Sequence, residues 1–222
     1  MREPTALMRP FNQDLMSTTE GKIVSVIKAP GPNPQGMAWD GECLWVSDRA
    51  NHHIYRLNAK TGDQLVALAF EGELAGVAWD GAHVWVADRS TRTISQIDPE
   101  SGAMPLSLHV DQSTGDLSGL HFDKECLWYG LARMGQLRRV RPTDGRFSKA
   151  LPAKADVGGL ALVGRAIWYT EPEAGMVHKI DANNGAMLVS YKVGGQPTTL
   201  CHDGECFWIA DAIAGELRRM TF

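Results

Sequence analysis

The chain has only four cysteines in 222 residues and no C-x-x-C pair. That scarcity argues against a disulfide framework, lends a zinc site little support, and leads us to expect a reducing, cytoplasmic setting. No apolar run approaches the roughly 18 residues of a membrane-spanning helix. The opening stretch MREPTALMRPFNQDLMSTTE lacks the apolar segment of a secretory leader, so export is not expected. Excess positive charge is missing too: 22 Lys and Arg stand against 26 Asp and Glu, a formal net charge of −4. Without a basic stripe, neither nucleic acid nor an anionic membrane is an expected partner. The chain also has no glycine loop in a strand-to-helix setting to cradle phosphate, and no G-x-S-x-G elbow for a nucleophilic serine.

What the chain does have is repetition. Trp45, Trp85, Trp128, Trp168 and Trp208 recur every 40 to 43 residues. Nine positions after each stands an aliphatic residue: Ile54, Ile94, Leu137, Val177 and Leu217. In the first four units a glycine follows eight further on, at Gly62, Gly102, Gly145 and Gly185. Each unit reads as strands separated by turn pairs. In the first, residues 36–39 precede Asp40-Gly41, a second strand runs through Cys43, Trp45 and Ser47, HIYRL makes a third, and LVALAF a fourth after Thr61-Gly62-Asp63. Four antiparallel strands every 40 residues or so predict the blade of an all-β propeller, and five units predict five blades. The fifth unit ends at Phe222 after its third strand, while GKIVSV near the other terminus matches the fourth-strand GDQLVA of the first unit. An N-terminal strand is therefore expected to complete the last blade and close the ring, removing two open edges. We divide the chain into an N-terminal arm, residues 1–20, and a propeller, residues 21–222.

The phrase WDG-x-x-LWV-x-D, followed by an I-x-x-I/L-D strand and a TG turn, resembles the NHL-type propeller superfamily. That group includes glutaminyl cyclotransferases, virginiamycin B lyase and gluconolactonase-like hydrolases. The resemblance covers about 200 residues, all but the first 20. Blade four, IWYTEPEAGMVHKI, is similar to a virginiamycin-lyase blade, and the count of five is similar to the cyclotransferases. The resemblance implies that first strands line a central channel and that function gathers at the rim where loops enter the first strand and leave the second. It also implies a hydrolase or lyase, with a divalent ion such as Ca or Mg. Against the cyclotransferase phrase TQGLE, the chain offers Pro34-Gln35-Gly36-Met37-Ala38, with Ala38 where the acid belongs. The motifs specify a blade and not a chemistry.

Candidate site residues come from the rim. Three positions after each register tryptophan stand Asp48, Asp88, Leu131, Glu171 and Asp211. Four of the five are carboxylates, so Asp48, Asp88, Glu171 and Asp211 form a candidate metal-binding ring; the competing reading is that each accepts hydrogen bonds from its own turn. Departures from the repeat are more telling, because a need common to all blades cannot explain a feature of one. Blade four carries Glu171 and Glu173 around Pro172. Blade three brings Tyr129 and Arg133, and blades one and two add Arg49 and Arg89. Arg49, Arg89, Tyr129 and Arg133 are the expected ligand contacts, suited to an anionic small molecule. Glu171, Glu173 and His121 are the expected acid–base groups. Taking Asp-Gly as the two-residue turn places Cys201 opposite Cys206, within disulfide reach, and His121 opposite Cys126. Cys43, Cys126 and Cys206 share one repeat position, as small packed side chains would. Two functions are expected from this pattern: a small-molecule site at the channel mouth, with metal-assisted hydrolase or lyase chemistry, or a non-catalytic scaffold that docks a protein partner.

Overall fold

A computed structural model describes residues 19–110, 115–154 and 156–222. Most of the stretch read as an N-terminal arm, residues 1–18, lies outside the described residues. The described chain starts with β1 (Thr19–Glu20) and β2 (Lys22–Lys28). Blade one follows as β3 (Pro34–Trp39), β4 (Cys43–Asp48), β5 (His53–Asn58) and β6 (Gln64–Ala69). Blade two is β7 (Leu74–Trp79), β8 (Val84–Asp88), β9 (Thr93–Ile97) and β10 (Leu106–His109). Blade three is β11 (Asp116–Asp123), β12 (Cys126–Ala132), β13 (Gln136–Val140) and β14 (Phe147–Pro152). Blade four is β15 (Leu160–Val163), β16 (Ala166–Glu171), β17 (Met176–Asp181) and β18 (Met187–Lys192). Blade five is β19 (Pro197–His202), β20 (Phe207–Asp211) and β21 (Glu216–Thr221), and β2 pairs antiparallel with β21 to complete it. The protein is a five-bladed β-propeller closed by its N-terminal strand, and no helix forms among the described residues. One element was not anticipated: β1 adds in parallel to the outer edge of blade four.

Burial falls from the axis outward. Every residue of β4 is buried, whereas the outer β6 is exposed or half-buried throughout. The second strands are covered on both faces by neighbouring blades, which is why they read LWVS and AIWY, apolar at successive positions and not only at alternate ones. The apolar clusters lie between blades. Ile54 and Trp45 of blade one pack with Leu74 and Val86 of blade two, and Trp168 and Val177 of blade four pack with Leu200 and Ile209 of blade five. Ile27 of β2 enters the cluster between blades five and one. Because each blade is stabilised mainly by its neighbours, the ring is stable only when closed.

Close approach at the axis demands a missing side chain. A Cβ added to Gly36 would run into the backbone of Ala75 and Val77, and one on Gly76 into that of Ser118 and Leu120. Gly119 and Gly159 repeat the position in blades three and four. The innermost strands therefore touch backbone to backbone, which a ring of only five blades requires.

The turn between first and second strands sits one residue later than the sequence reading placed it. Ala38 faces Trp45, His121 faces Trp128, and Cys201 faces Trp208. Neither the Cys201–Cys206 pairing nor the His121–Cys126 pairing forms, and all four cysteines are free and buried. The cause is the aspartate at the corner. Asp203 accepts the backbone N–H groups of Glu205 and Cys206 at 2.9 and 2.7 Å through one oxygen, making the aspartate the first corner and Gly204-Glu205 the centre. Its other oxygen takes the Trp208 indole N–H at 3.0 Å and the Arg219 Nε at 2.6 Å. Asp40 does the same for Trp45 and Arg56 in blade one.

Candidate functional site

A cavity of about 790 Å³ opens at the rim end of the channel. Two positions of the repeat supply most of its charged walls. The first is the residue three places before the innermost glycine or threonine: Asn33, Asp116, Asp156 and Gln196 line the cavity, and Glu73 holds that place in blade two. The second is the stretch just after the second strand, which supplies Arg49, Arg89, Ala132-Arg133, Pro172-Glu173 and Ala212. Three of the four expected ligand contacts, Arg49, Arg89 and Arg133, thus meet there, from three different blades. Glu173, one of the expected acid–base groups, joins them from a fourth.

The aspartates expected to hold a metal serve the turns beneath this cavity. Asp48 accepts the N–H of Asn33 at 2.6 Å and of Asn51 at 2.8 Å. Asp88 accepts the N–H of Glu73 and Ser90 and the hydroxyls of Ser90 and Thr91. Asp211 accepts the N–H of Gln196, Ile213 and Ala214, and its second oxygen meets Arg218 at 2.7 Å. Each of the three is almost wholly buried. They fix the entering loop to the leaving loop and so position the side chains above them. Among the described residues no three Asp, Glu, His or Cys side chains converge on a point that could hold a metal ion.

The remaining candidates are dispersed. Glu171 turns away from the cavity and accepts a hydrogen bond from His178 Nε2 at 2.7 Å, while His178 Nδ1 meets the Ser190 hydroxyl at 2.8 Å. Tyr129 lines a separate cavity between blades two and three with His109 and Arg138. His121 lies at the opposite end of the channel beside Trp39, Trp79, Cys201 and His202. Burial there pushes its imidazole down to about 4, with Asp123 opposing weakly, so the ring is neutral near pH 7 and remote from the rim. Ala38, where the cyclotransferase phrase has an acid, is buried in the cluster between blades one and two.

Within the cavity, Arg49 pairs with Glu73 at 3.2 Å and Arg133 with Asp116 at 3.1 Å. Arg89 has no carboxylate partner among the described residues. Its Nε donates to the Leu117 carbonyl at 2.6 Å and an Nη to Gln35 at 3.3 Å. Burial, and then the positive charge of Arg49, lowers its proton affinity below that of an ordinary arginine, although it stays cationic at any working pH. Beside it the hydroxyl of Ser118 is buried with no hydrogen-bond partner. Its oxygen lies against Gly130 of β12, inside the blade. Arg133 adopts a left-handed φ of 67°, unlike the residues at its repeat position in the other blades. Such a conformation costs on the order of 1 kcal/mol for a side-chain-bearing residue and clusters at functional sites. Residues 33, 116, 118, 156 and 196 escaped the sequence reading. Their signal was a fixed place ahead of the innermost glycine or threonine, three residues for 33, 116, 156 and 196 and one for 118, which marks position but says nothing of exposure.

A five-bladed propeller with a charged cavity at one channel mouth is the class that this fold and site define. Among solved structures the chain is similar to the glutaminyl cyclase of Myxococcus xanthus, with a TM-score of 0.77 at 12% identity over 90% of this chain and 95% of that one. It is also similar to virginiamycin B lyase from Staphylococcus aureus, with a TM-score of 0.55 at 18% identity over 88% of this chain and 68% of that one. The β-propeller domain of Cps50 (Swd1) from Myceliophteria thermophila gives 0.52 at 14% identity, over 86% and 65%. At these identities the likeness shows the fold alone. No family model matches the chain, and no curated protein does.

Proposed function

We propose that the protein binds a small anionic molecule in the channel mouth through Arg49, Arg89 and Arg133. The observation that carries this reading is the gathering of three guanidinium groups from three blades around one cavity. No requirement of the propeller repeat calls for them, since blades four and five have Pro172 and Ala212 where Arg49 and Arg89 stand. A cavity of about 790 Å³ is the size of an ordinary ligand pocket, roughly 300–1,000 Å³. A half-buried guanidinium without a carboxylate partner gains more from a carboxylate or phosphate than a fully exposed one does. The acid–base group at the bound ligand is Glu173, with Asp156 beside it, and a hydrolase or lyase step there is the finer form of the proposal. A docking scaffold has less in its favour: the exposed large apolar side chains, such as Leu65, Met104, Phe147, Leu188 and Ile213, are distributed one or more to every blade.

The test is calorimetric titration at low ionic strength with small carboxylates and phosphate esters, on the wild type and Arg89→Gln. Saturable binding that weakens about tenfold in the variant supports the reading. Binding indifferent to Arg89 would overturn it. Turnover of lactones and esters by the wild type and not by Glu173→Gln tests the finer form.

A further inference from the structure

The charged groups of the cavity are not evenly satisfied. Arg49 and Arg133 each have a carboxylate already, in Glu73 and Asp116. Arg89 has only carbonyl and amide oxygens, from Leu117 and Gln35. On the blade-three and blade-four side stand Asp156 and Glu173. One oxygen of Asp156 accepts the backbone N–H of Glu173 at 2.9 Å, and neither carboxylate has a cationic partner among the described residues. The cavity therefore holds one uncompensated guanidinium, and two uncompensated carboxylates in another part of its wall.

A ligand bearing only a carboxylate satisfies Arg89 but brings a third negative charge toward Asp156 and Glu173. One bearing only an amine satisfies the carboxylates and leaves Arg89 as it was. A molecule with both groups answers each region. We propose that the mouth cavity takes a zwitterionic amino acid, with its carboxylate on Arg89 and its ammonium on Asp156 and Glu173. The inference rests on the reading of the mouth as an anion site and adds the second half of the ligand.

The experiment titrates the full chain with three series of matched length: glycine, β-alanine, 4-aminobutyrate and 6-aminohexanoate; the corresponding simple carboxylates; and the corresponding alkylamines. At one chain length or more, the amino acid is expected to bind about tenfold or more tightly than both its carboxylate and its amine counterparts. Replacing Asp156→Asn and Glu173→Gln together should abolish that preference and leave the simple carboxylate bound at least as well. Both positions are on the surface of loops, and thermal melting verifies that the variant folds. A wild-type protein that binds the carboxylate as tightly as the amino acid overturns the zwitterion proposal and keeps the anion site. Preference for the amine overturns the zwitterion proposal too. If neither amino acids nor carboxylates bind, the anion reading falls with it.

Discussion

The imidazole of His178 donates from Nε2 to the carboxylate of Glu171 across 2.7 Å and accepts the Ser190 hydroxyl at Nδ1. Blade five has the same relation in other residues, with Arg218 on Asp211 at 2.7 Å, again seven positions apart. Acid, base and hydroxyl stand in a row here, yet His178 and Ser190 are buried in the blade, with the Tyr169 ring tilted against the imidazole at 5.0 Å. The row is a cross-strand tie.

That placement separates Glu171 from Glu173. Glu171→Ala leaves a buried imidazole N–H without its acceptor and should cost about 1–3 kcal/mol in urea denaturation. Ligand binding at the mouth should change by less than about twofold. Loss of binding with stability unchanged would place Glu171 in the site after all.

Stability should fall as pH drops through the histidine range. Burial holds His178 below the ordinary value of 6.5, its bond to Glu171 offsetting only part of this, and burial holds His121 at about 4. Between pH 6.5 and about 4 the unfolded chain therefore binds protons that the folded one refuses. Stability is full above about pH 7 and declines below 6.5, by at most ~1.4 kcal/mol per pH unit for each group. His121 is partly reachable from the lower channel, among Cys201, His202 and Asp123, so its share is smaller. Urea midpoints from pH 8 to 5 measure the slope, and His121→Leu should flatten it. A midpoint that rises on acidification would contradict the assignment.

Asp203 should be worth more than an ordinary turn aspartate. Burial opposes its ionisation, yet the Arg219 guanidinium and the N–H groups of Cys206 and Glu205 hold it down to about 2. Its contribution is complete above about pH 4 and is lost as pH falls toward 2. Asp203→Ala strands the Trp208 indole and leaves the Arg219 head only the exposed Glu205, and we expect a loss of about 2 kcal/mol at pH 7. Asp98→Ala, at an exposed turn that ties only Glu100 and Ser101, should lose much less by the same denaturation assay.

Gly76→Ala tests the closure of the ring. The added methyl meets the backbone of Ser118 and Leu120 in the next blade, which has no rotamer with which to give way. Destabilisation of about 3 kcal/mol or more is expected, read by thermal melting and by the appearance of aggregates in gel filtration. A variant as stable as the wild type would mean that the five inner strands are not in close contact.

The repeat was legible because it is local. A tryptophan and an aliphatic residue at constant spacing in all five units, a glycine in four and Asp-Gly at three of the corners specify strand, turn and strand. The complementarity of GKIVSV with the unfinished fifth unit determined that the ring closes. The corner itself was misplaced by one residue. Propensity marks Asp-Gly as a turn, but the hydrogen bonds of the Asp203 side chain decide which residue is first in it.

Function-bearing geometry depended on the tertiary structure. Asp48, Asp88 and Asp211 look in sequence like a ring of charge at a mouth. Folding brings the N–H groups of Asn33, Glu73 and Gln196 onto their oxygens and leaves them nearly inaccessible. Arg49, Arg89, Arg133, Ser118, Asp156 and Glu173 are scattered over 125 positions of chain and become neighbours only because the blades stand around one axis. Sequence spacing determines where a residue sits within its blade. Which residues of different blades face one another across the channel follows from the angle between the blades, and that angle is decided by how closely the innermost glycines let them approach.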